Sequence, residues 1–248
     1  MWKAVILAAA WVRVAQTALP LPTYIKPCAR SNPDFNACAL RSARDSFPYA
    51  VKGDPSFRLL PLDPMQVEQV KVEVGGAGGL TVLMKNVHIS GITDTKIEMT
   101  NFNFETRHIH HEATTPRLEV IGQYEVCGRV LQLPLSGSGN FNVTLVDTHL
   151  TYDVDYNLEL IDGRRHLVPR NPETAVSPSR MHVKQIGLFK GNEMLDERTN
   201  EFLEENWKEL LKELVPIMNT VFRDILFRFH TRFDSMVPFD VAFPEHLP

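Results

Sequence analysis

The stretch from residue 195 to residue 233, LDERTNEFLEENWKELLKELVPIMNTVFRDILFRFHTRF, decides the fold. Its apolar residues recur at intervals of three and four, the spacing that lines one face of an α-helix. The other face is charged, acidic early and basic late, an order that complements the helix dipole. Gly191-Asn192 marks a helix start, and Pro216 predicts a kink because proline removes one backbone hydrogen bond. We therefore predict one long amphipathic helix near the C-terminus.

The residues before this helix alternate between apolar and polar side chains, which is typical of strands. Residues 67–74 and 80–84 alternate around the glycines of 75–79, which predicts a hairpin. In the strand at 139–159 the apolar positions change from odd to even at Leu145-Val146, which predicts a bulge or a strong bend. Short turns such as Asp162-Gly163 favour antiparallel pairing. Further strands are predicted at residues 86–92, 95–106, 117–133 and 180–189.

A coiled coil is one alternative for a stripe as long as that of 195–233. The aromatic-rich face of the helix and the preceding strands favour an intramolecular partner instead. The predicted fold class is therefore α+β, with a long C-terminal helix wrapped by a highly curved antiparallel sheet. A short helix at 36–47, ended by Pro48, precedes the strands.

The N-terminus has the layout of a secretory signal peptide. Lys3 is followed by an apolar run at residues 4–12 and by small residues up to Ala18. The run is shorter than the roughly 20 apolar residues that cross a bilayer. We predict a signal peptide at 1–18, a single secreted domain at 19–248 and no stable membrane insertion.

Charge and cysteine usage agree with an extracellular protein. The formal net charge is −4 and no basic stripe is present, which argues against a nucleic-acid partner. Cys28 and Cys38 flank a turn that a disulfide could close in an oxidising compartment. Cys127 remains, either as an unpaired thiol or as the donor of an intermolecular disulfide.

Short motifs occur in a specific order along the whole chain after residue 18. They include Leu21-Pro22-x-x-Ile25-Lys26-x-Cys28, Gly53-Asp54-Pro55, Leu60-Pro61-Leu62-Asp63-Pro64, Lys85-Asn86-Val87-x-Ile89-x-Gly91, Tyr124-x-Val126-x-Gly128 and Asn200-x-Phe202-Leu203-x-x-Asn206-Trp207. With these motifs the chain resembles the takeout and haemolymph juvenile-hormone-binding proteins of insects.

The resemblance implies a secreted carrier, not an enzyme, with an apolar tunnel for juvenile hormone, another terpenoid or a fatty acyl compound. It carries no catalytic residues and no cofactor, and some members of the family are tied to feeding and circadian behaviour. Takeout-type members typically have only the first disulfide. The single spare cysteine, Cys127, therefore favours the takeout branch.

Candidate ligand-binding residues are aromatic and aliphatic side chains on the inward faces of the predicted elements, although any one of them could simply be core. Tyr152 and Tyr156 are the candidates with a hydroxyl, which could orient an oxygen of the ligand. The full set is Phe104, Phe141, Tyr152, Tyr156, Phe189, Phe202, Trp207, Leu211, Met218, Phe222 and Ile225.

Three motifs suggest an enzyme or a metal site without matching one. The histidines of 108–111 lack the helical HExxH spacing, and we interpret them as a solvated hairpin tip with no metal. The glycines of 75–79 lack the lysine of a phosphate loop, and Ser136-Gly137-Ser138-Gly139 is not a nucleophile elbow. The alternative to a carrier is a secreted interaction or signalling factor without bound lipid, whose protein partners the sequence does not indicate.

Asn142 begins the Asn142-Val143-Thr144 glycosylation sequon. Its parity is opposite to that of Phe141 and Val143, so Asn142 faces solvent if those two face inward. We expect the secreted protein to lose mass and gain electrophoretic mobility on treatment with peptide N-glycosidase. An Asn142→Gln variant is the control that should not respond, and an unchanged native protein would contradict the prediction.

Overall fold

Six antiparallel strands curl around the C-terminal helices in this computed structural model, which describes residues 19–74, 79–130 and 133–247. The predicted signal peptide and residues 75–78 of the predicted glycine turn lie outside these residues. Strand order across the sheet is β1-β2-β4-β5-β6, with β3 paired to β4 beside β2, and the sheet is not closed. The strands are β1 (Met65–Val74), β2 (Leu80–Ser90), β3 (Lys96–Asn103), β4 (His108–Val130), β5 (Leu133–Ile161) and β6 (Arg164–Ile186).

The helices are α1 (Phe35–Ala50), α2 (Glu193–Glu205), α3 (Trp207–Met236) and α4 (Phe239–Ala242). The prediction that 36–47 ends at Pro48 was wrong, since α1 includes Pro48 and continues to Ala50. A proline near a helix end removes one hydrogen bond without ending the helix. The predicted start at Asn192 is confirmed, because its side chain accepts a hydrogen bond from the Leu195 amide.

The prediction of one uninterrupted helix over 195–233 was also wrong. The interruption lies at Asn206, whereas α3 runs through Pro216. The Asn206 side chain donates to the Phe202 carbonyl at 2.8 Å and so ends α2, and the Asn206 carbonyl accepts from Leu210 at the start of α3. An asparagine side chain that bonds its own backbone in this way competes with the helix.

Two stretches that the sequence analysis left outside strands are strand residues, 108–116 of β4 and 164–179 of β6. These stretches contain four prolines, at positions 116, 169, 172 and 178, and proline is rare inside strands. Three of these prolines lie on β6, which pairs only with β5 and is an edge strand, where a missing amide is tolerated. The predicted two-residue turn is confirmed, with Asp162 and Gly163 both at positive φ between the paired residues Ile161 and Arg164.

The three longest strands bend at residues that lie side by side across the sheet. These residues are Pro116 of β4, Asp147 of β5 and Ser179 of β6, and we call them the corner row. The ladder is paired on both sides of this row, through Thr115, Thr148 and Pro178 on one side and Arg117, Val146 and Arg180 on the other. Asp147 has a φ of +41°, and the β5 side chains that face inward change from odd to even positions there. The predicted bend thus lies at Asp147, and because the pairing register is kept across it, no bulge is present.

The corner row separates two regions of the hydrophobic core. One contains Leu145 and Met181 and packs against α2 and the first part of α3. The other contains Ile109, Tyr152 and Val154 and packs against Leu226 of α3 and Phe239 of α4. The inner surface of the sheet is therefore folded over the full length of α3.

Asparagine side chains from the helices satisfy the free backbone of the edge strand β6. Asn200 of α2 accepts from the Gln185 amide and donates to the Gln185 carbonyl, both at 2.8 Å. Asn219 of α3 accepts from the Val176 amide at 2.9 Å. Exposed strand edges invite pairing with other chains, and these contacts both cover the edge and fix the helices against it.

The corner row gives a test of the fold at Asp147, which is exposed. A β-branched residue at positive φ is strained, so Asp147→Val should lower the free energy of unfolding by about 1–2 kcal/mol. Asp147→Gly should change it by less than about 1 kcal/mol, because glycine adopts this φ freely. Urea-induced unfolding followed by tryptophan fluorescence measures both, and equal losses in the two variants would contradict the assignment of the bend to backbone conformation.

Candidate functional site

The predicted ligand-binding residues divide between the two core regions. Phe104, Tyr152 and Tyr156 belong to the region beyond the corner row that includes Phe239. The other eight residues contact the larger core region, which contains Leu145 and Met181. They are Phe141, Phe189, Phe202, Trp207, Leu211, Met218, Phe222 and Ile225. The structure thus places all of them at the helix–sheet interface, in two groups and not one.

The eight residues of the larger group share an unusual degree of burial. Each packs against fully buried core residues, yet each keeps part of its own surface accessible. Leu214 of α3 and Val120, Tyr124 and Val183 of the sheet have the same partial burial. Well-packed interiors leave few voids of the size of a water molecule, so apolar residues at the centre of a fold are normally almost fully buried.

Phe104 and Tyr156 make contacts typical of a packed core. Phe104 lies 4.9 Å from Phe35 between ring centroids and 6.2 Å from Phe239, both edge-on. Tyr156 is 3% exposed and packs on Phe239 at 6.3 Å. Trp207 lies at the rim of the interface, where the Arg180 guanidinium sits 4.6 Å from its ring centroid.

One row of inward-facing polar residues crosses four strands, and we call it the polar row: Thr100, His111, Tyr152 and Thr174. Thr100 is paired with His111, His111 with Tyr152, and Tyr152 with Thr174. Directly opposed residues of antiparallel strands point to the same face of the sheet. The interpretation of 108–111 as a solvated hairpin tip was therefore wrong, because these residues begin β4 and His111 points into the core.

Two polar residues of α3 lie over the polar row. The His230 ring stacks 5.3 Å from the Tyr152 ring and 5.7 Å from the His111 ring. Asp234 follows one turn later, with its Oδ2 atom 3.9 Å from Nδ1 of His230. Sequence reasoning missed both, although they lie four and eight residues after Leu226 and so interrupt the apolar face of the helix.

Burial keeps this group of side chains uncharged. Desolvation lowers the pKa of His111 to about 3, helped by the neighbouring His230 and His110, and it lowers the pKa of His230 to about 4. The same effect raises the pKa of the Asp234 carboxyl well above its usual range. Burial also raises the pKa of the Tyr152 hydroxyl, with the nearby Asp234 adding to the effect.

The neighbouring histidines of β4 face the other side of the sheet and have acidic partners. His108 contacts Asp155 at 3.0 Å and Asp153 at 3.1 Å, and the hydrogen bond to Asp155 is the main cause of its raised pKa. Burial lowers the pKa of His110, but hydrogen bonds with Glu112 and Asp153 outweigh it and the net pKa is raised. Alternation along β4 therefore sends His111 inward and its two neighbours outward.

Three further predicted features lie away from the interior. Cys28 and Cys38 form a disulfide with their Cα atoms 6.0 Å apart, while Cys127 is exposed and unpaired within the described part of the chain. Asn142 lies on the outer side of β5, where its amide donates to Glu119 at 2.9 Å. An open surface pocket of about 620 Å³ lies between the loop of residues 55–61 and the C-terminal end of α3, and none of the predicted ligand-binding residues lines it.

Within the residues that the structure describes, no helix is both long and apolar enough to cross a membrane. The crystal structure of Epiphyas postvittana Takeout 1 has a similar fold, with a TM-score of 0.78 and 22% identity over 89% of this chain and all of that one.

Two relatives are similar in sequence. A Schistocerca gregaria protein named "Putative beta-carotene-binding protein" is 23% identical over 88% of this chain and 87% of its own. The Drosophila melanogaster circadian clock-controlled protein daywake is 23% identical over 80% of this chain and 78% of its own. The family model described as haemolymph juvenile hormone binding protein matches residues 5–244, and the chain therefore belongs to this family of lipophilic-ligand carriers.

Proposed function

We propose that this protein is a secreted, non-enzymatic carrier that holds one small lipophilic ligand in an internal apolar tunnel between α3 and the sheet. The observation that carries the proposal is the partial burial of the apolar residues along this interface. Residues such as Leu211, Met218 and Phe222 pack against the core on one side and keep accessible surface on the other. An apolar lining around a ligand-sized space would have this pattern.

His230 supports the same interpretation. Protein surrounds it so completely that desolvation alone determines its pKa shift, yet 24% of its side-chain surface is accessible. In the proposed carrier the accessible part of the ring faces the tunnel, since the ring lies over the inward face of the sheet beside Tyr152.

The expected ligand is juvenile hormone, another terpenoid or a fatty acyl compound. A sesquiterpenoid-sized ligand that hides about 300 Å² of apolar surface gains roughly 7 kcal/mol at 25 cal/mol per Å². Losses of translational freedom and side-chain ordering offset several kcal/mol of that gain. Selectivity then depends on the shape of the tunnel and on a few polar contacts, and the Tyr152 hydroxyl, which has no hydrogen-bond partner among the described residues, is placed to make one.

Secretion is part of the proposal. The disulfide between Cys28 and Cys38 is typical of proteins that fold in an oxidising compartment, and the family takes its name from haemolymph. A role in circadian or feeding behaviour extends the proposal, and the name of the daywake relative supports the circadian part of it.

Native mass spectrometry of the secreted protein tests the carrier function. We expect a stoichiometric adduct that organic extraction releases and that proves to be a terpenoid or a fatty acyl compound. A protein that is isolated empty and takes up neither class of compound would contradict the proposal. In that case the alternative, a secreted interaction or signalling factor with a solid core, becomes the explanation of the fold.

A pair of tryptophan substitutions on α3 distinguishes a tunnel from a solid core. In a tunnel, Met218→Trp fills free space, so binding of the fluorescent probe N-phenyl-1-naphthylamine should weaken at least about tenfold while the free energy of unfolding changes by less than about 1 kcal/mol. Thr220→Trp, at an exposed position two residues away, should change neither quantity. In a solid core Met218→Trp would instead lower the free energy of unfolding by about 1–3 kcal/mol through overpacking.

A further inference from the structure

We infer that the polar row and the His230–Asp234 pair of α3 bind the uncharged oxygen group, an alcohol or a carbonyl, at one end of the lipophilic ligand. The inference rests on the proposed carrier function and adds to it the chemistry of the ligand's polar end. It also assigns binding roles to Thr174 and to both α3 residues, which the apolar pattern of the sequence did not single out.

Unpartnered polar atoms converge at this site. Among the described residues, the buried side-chain oxygens without a hydrogen-bond partner include Tyr152 Oη, Thr174 Oγ1 and Asp234 Oδ2. Thr148 Oγ1 is a fourth, four residues before Tyr152 on the same inward face of β5. Buried polar groups are nearly always paired, and leaving one unpaired costs about as much as a lost hydrogen bond. The oxygens of Tyr152, Thr174 and Asp234 belong to the polar row and to the helix above it, and they indicate a partner that the described residues do not supply.

The site is enclosed, and the partly accessible His230 ring borders it. Tyr152 is 1% exposed, and only 10% of the Asp234 side chain is accessible, so neither is hydrated by bulk solvent. The more accessible His230 ring lies between them, stacked on Tyr152 and one helical turn before Asp234. A group that reaches His230 through the interior therefore arrives beside the unpartnered oxygens.

The charge state of the site favours an uncharged partner. The six side chains involved include no lysine or arginine, and burial lowers the pKa of both histidines and raises the pKa of the Asp234 carboxyl well above its usual range, so it disfavours charge at the site. One carboxyl, three hydroxyls and two imidazoles offer both donors and acceptors. An alcohol or a carbonyl uses them without bringing a charge into the interior, whereas a carboxylate would be buried without a cation.

The rest of the interface accommodates the other end of such a ligand. On the near side of the corner row the partly buried lining is aliphatic and aromatic, including Leu211, Met218 and Phe222 of α3. Asp234 lies beyond the corner row, more than three helical turns after Phe222 on α3. A ligand with its oxygen at the polar row thus directs its apolar chain along α3 toward α2.

The test uses the full secreted protein, stripped of lipid, and three probes. N-Phenyl-1-naphthylamine reports the apolar interior directly, and its displacement by dodecan-1-ol and by dodecanoate reports an uncharged and a charged end on the same alkyl chain. The variants are Asp234→Leu and His230→Phe, with Asp234→Asn as the conservative change that keeps a donor. Asp224→Leu, at an exposed carboxylate on the same helix, is the matched control, and thermal unfolding verifies that every variant folds.

We expect dodecan-1-ol to bind the native protein more tightly than dodecanoate. For each variant we compare the dissociation constant of dodecan-1-ol with that of N-phenyl-1-naphthylamine. The ratio of the two should rise about tenfold in Asp234→Leu and in His230→Phe, as the loss of one buried hydrogen bond predicts. Taking this ratio cancels any general change in the interior. Asp234→Asn should retain most of the affinity for the alcohol, and Asp224→Leu should retain all of it.

Two results would overturn the inference while the carrier function stands. One is unchanged relative affinity for dodecan-1-ol in both Asp234→Leu and His230→Phe, which would leave the polar row as a site for interior water only. The other is a native preference for dodecanoate, which would reverse the assigned chemistry. A native protein that binds none of the three probes would instead defeat the carrier proposal, and this inference with it.

Discussion

The apolar face of α3 is the constraint on which the rest of the structure depends. It extends over thirty residues and exposes Leu, Met, Phe and Ile side chains whose burial contributes about 1.5–3 kcal/mol each. A flat sheet covers only one side of such a helix. The long strands therefore bend together at Pro116, Asp147 and Ser179, and the sheet folds along the helix instead of past it. Because the three bends share a row, pairing continues on both sides of it and few hydrogen bonds are lost.

A curled but open sheet has two free edges, and the helices bind to the edge formed by β6. Asn200 and Asn219 bond the β6 backbone where another strand would otherwise pair. Burial raises the pKa of the Asp196 carboxylate near the start of α2, but hydrogen bonds from the Gln185 side chain and from the amides of Gly187 and Phe189 outweigh it, and the net pKa is lowered. Gly137 and Gly139 contribute on the neighbouring strand, since a Cβ on either would lie within 3 Å of the backbone at Leu188 or Ile186. Backbone-directed hydrogen bonds thus hold the helices against the β6 edge.

Much of this fold follows from periodicity, and the exceptions have local causes. The helical stripe, the β1–β2 hairpin and the turn at Asp162-Gly163 are short-range patterns, so the sequence predicts them. The break at Asn206 depends on a side-chain bond to Phe202 that competes with helix geometry, and spacing alone does not reveal it. Strand residues 164–179 were missed because proline argues against strands in general but is acceptable at an edge.

The predicted apolar lining lies at the helix–sheet interface because parity and helical spacing determine which way a side chain faces. Of the polar row, the sequence analysis predicted only Tyr152 as a ligand-binding residue, and the row as a whole was missed for a different reason. Thr100, His111, Tyr152 and Thr174 are far apart in sequence, and only the strand register brings them into one line. Single residues of this kind look like ordinary core positions until the register is known.

The polar row and the His230–Asp234 pair above it also reduce the stability of the fold, which apolar side chains at the same positions would not do. An aspartic acid buried without a partner ionises less readily than in the unfolded chain, so the unfolded state is favoured increasingly as the pH rises above the ordinary pKa of the carboxyl. The two buried histidines act in the opposite direction, favouring the unfolded state as the pH falls below about 6.5, the ordinary histidine pKa. Leucine or phenylalanine at these positions would remove both penalties and extend the apolar face of α3. Proteins commonly retain such unfavourable groups where function requires them. In a carrier whose remaining lining is apolar, the most direct use of these groups is to orient one end of an otherwise featureless ligand.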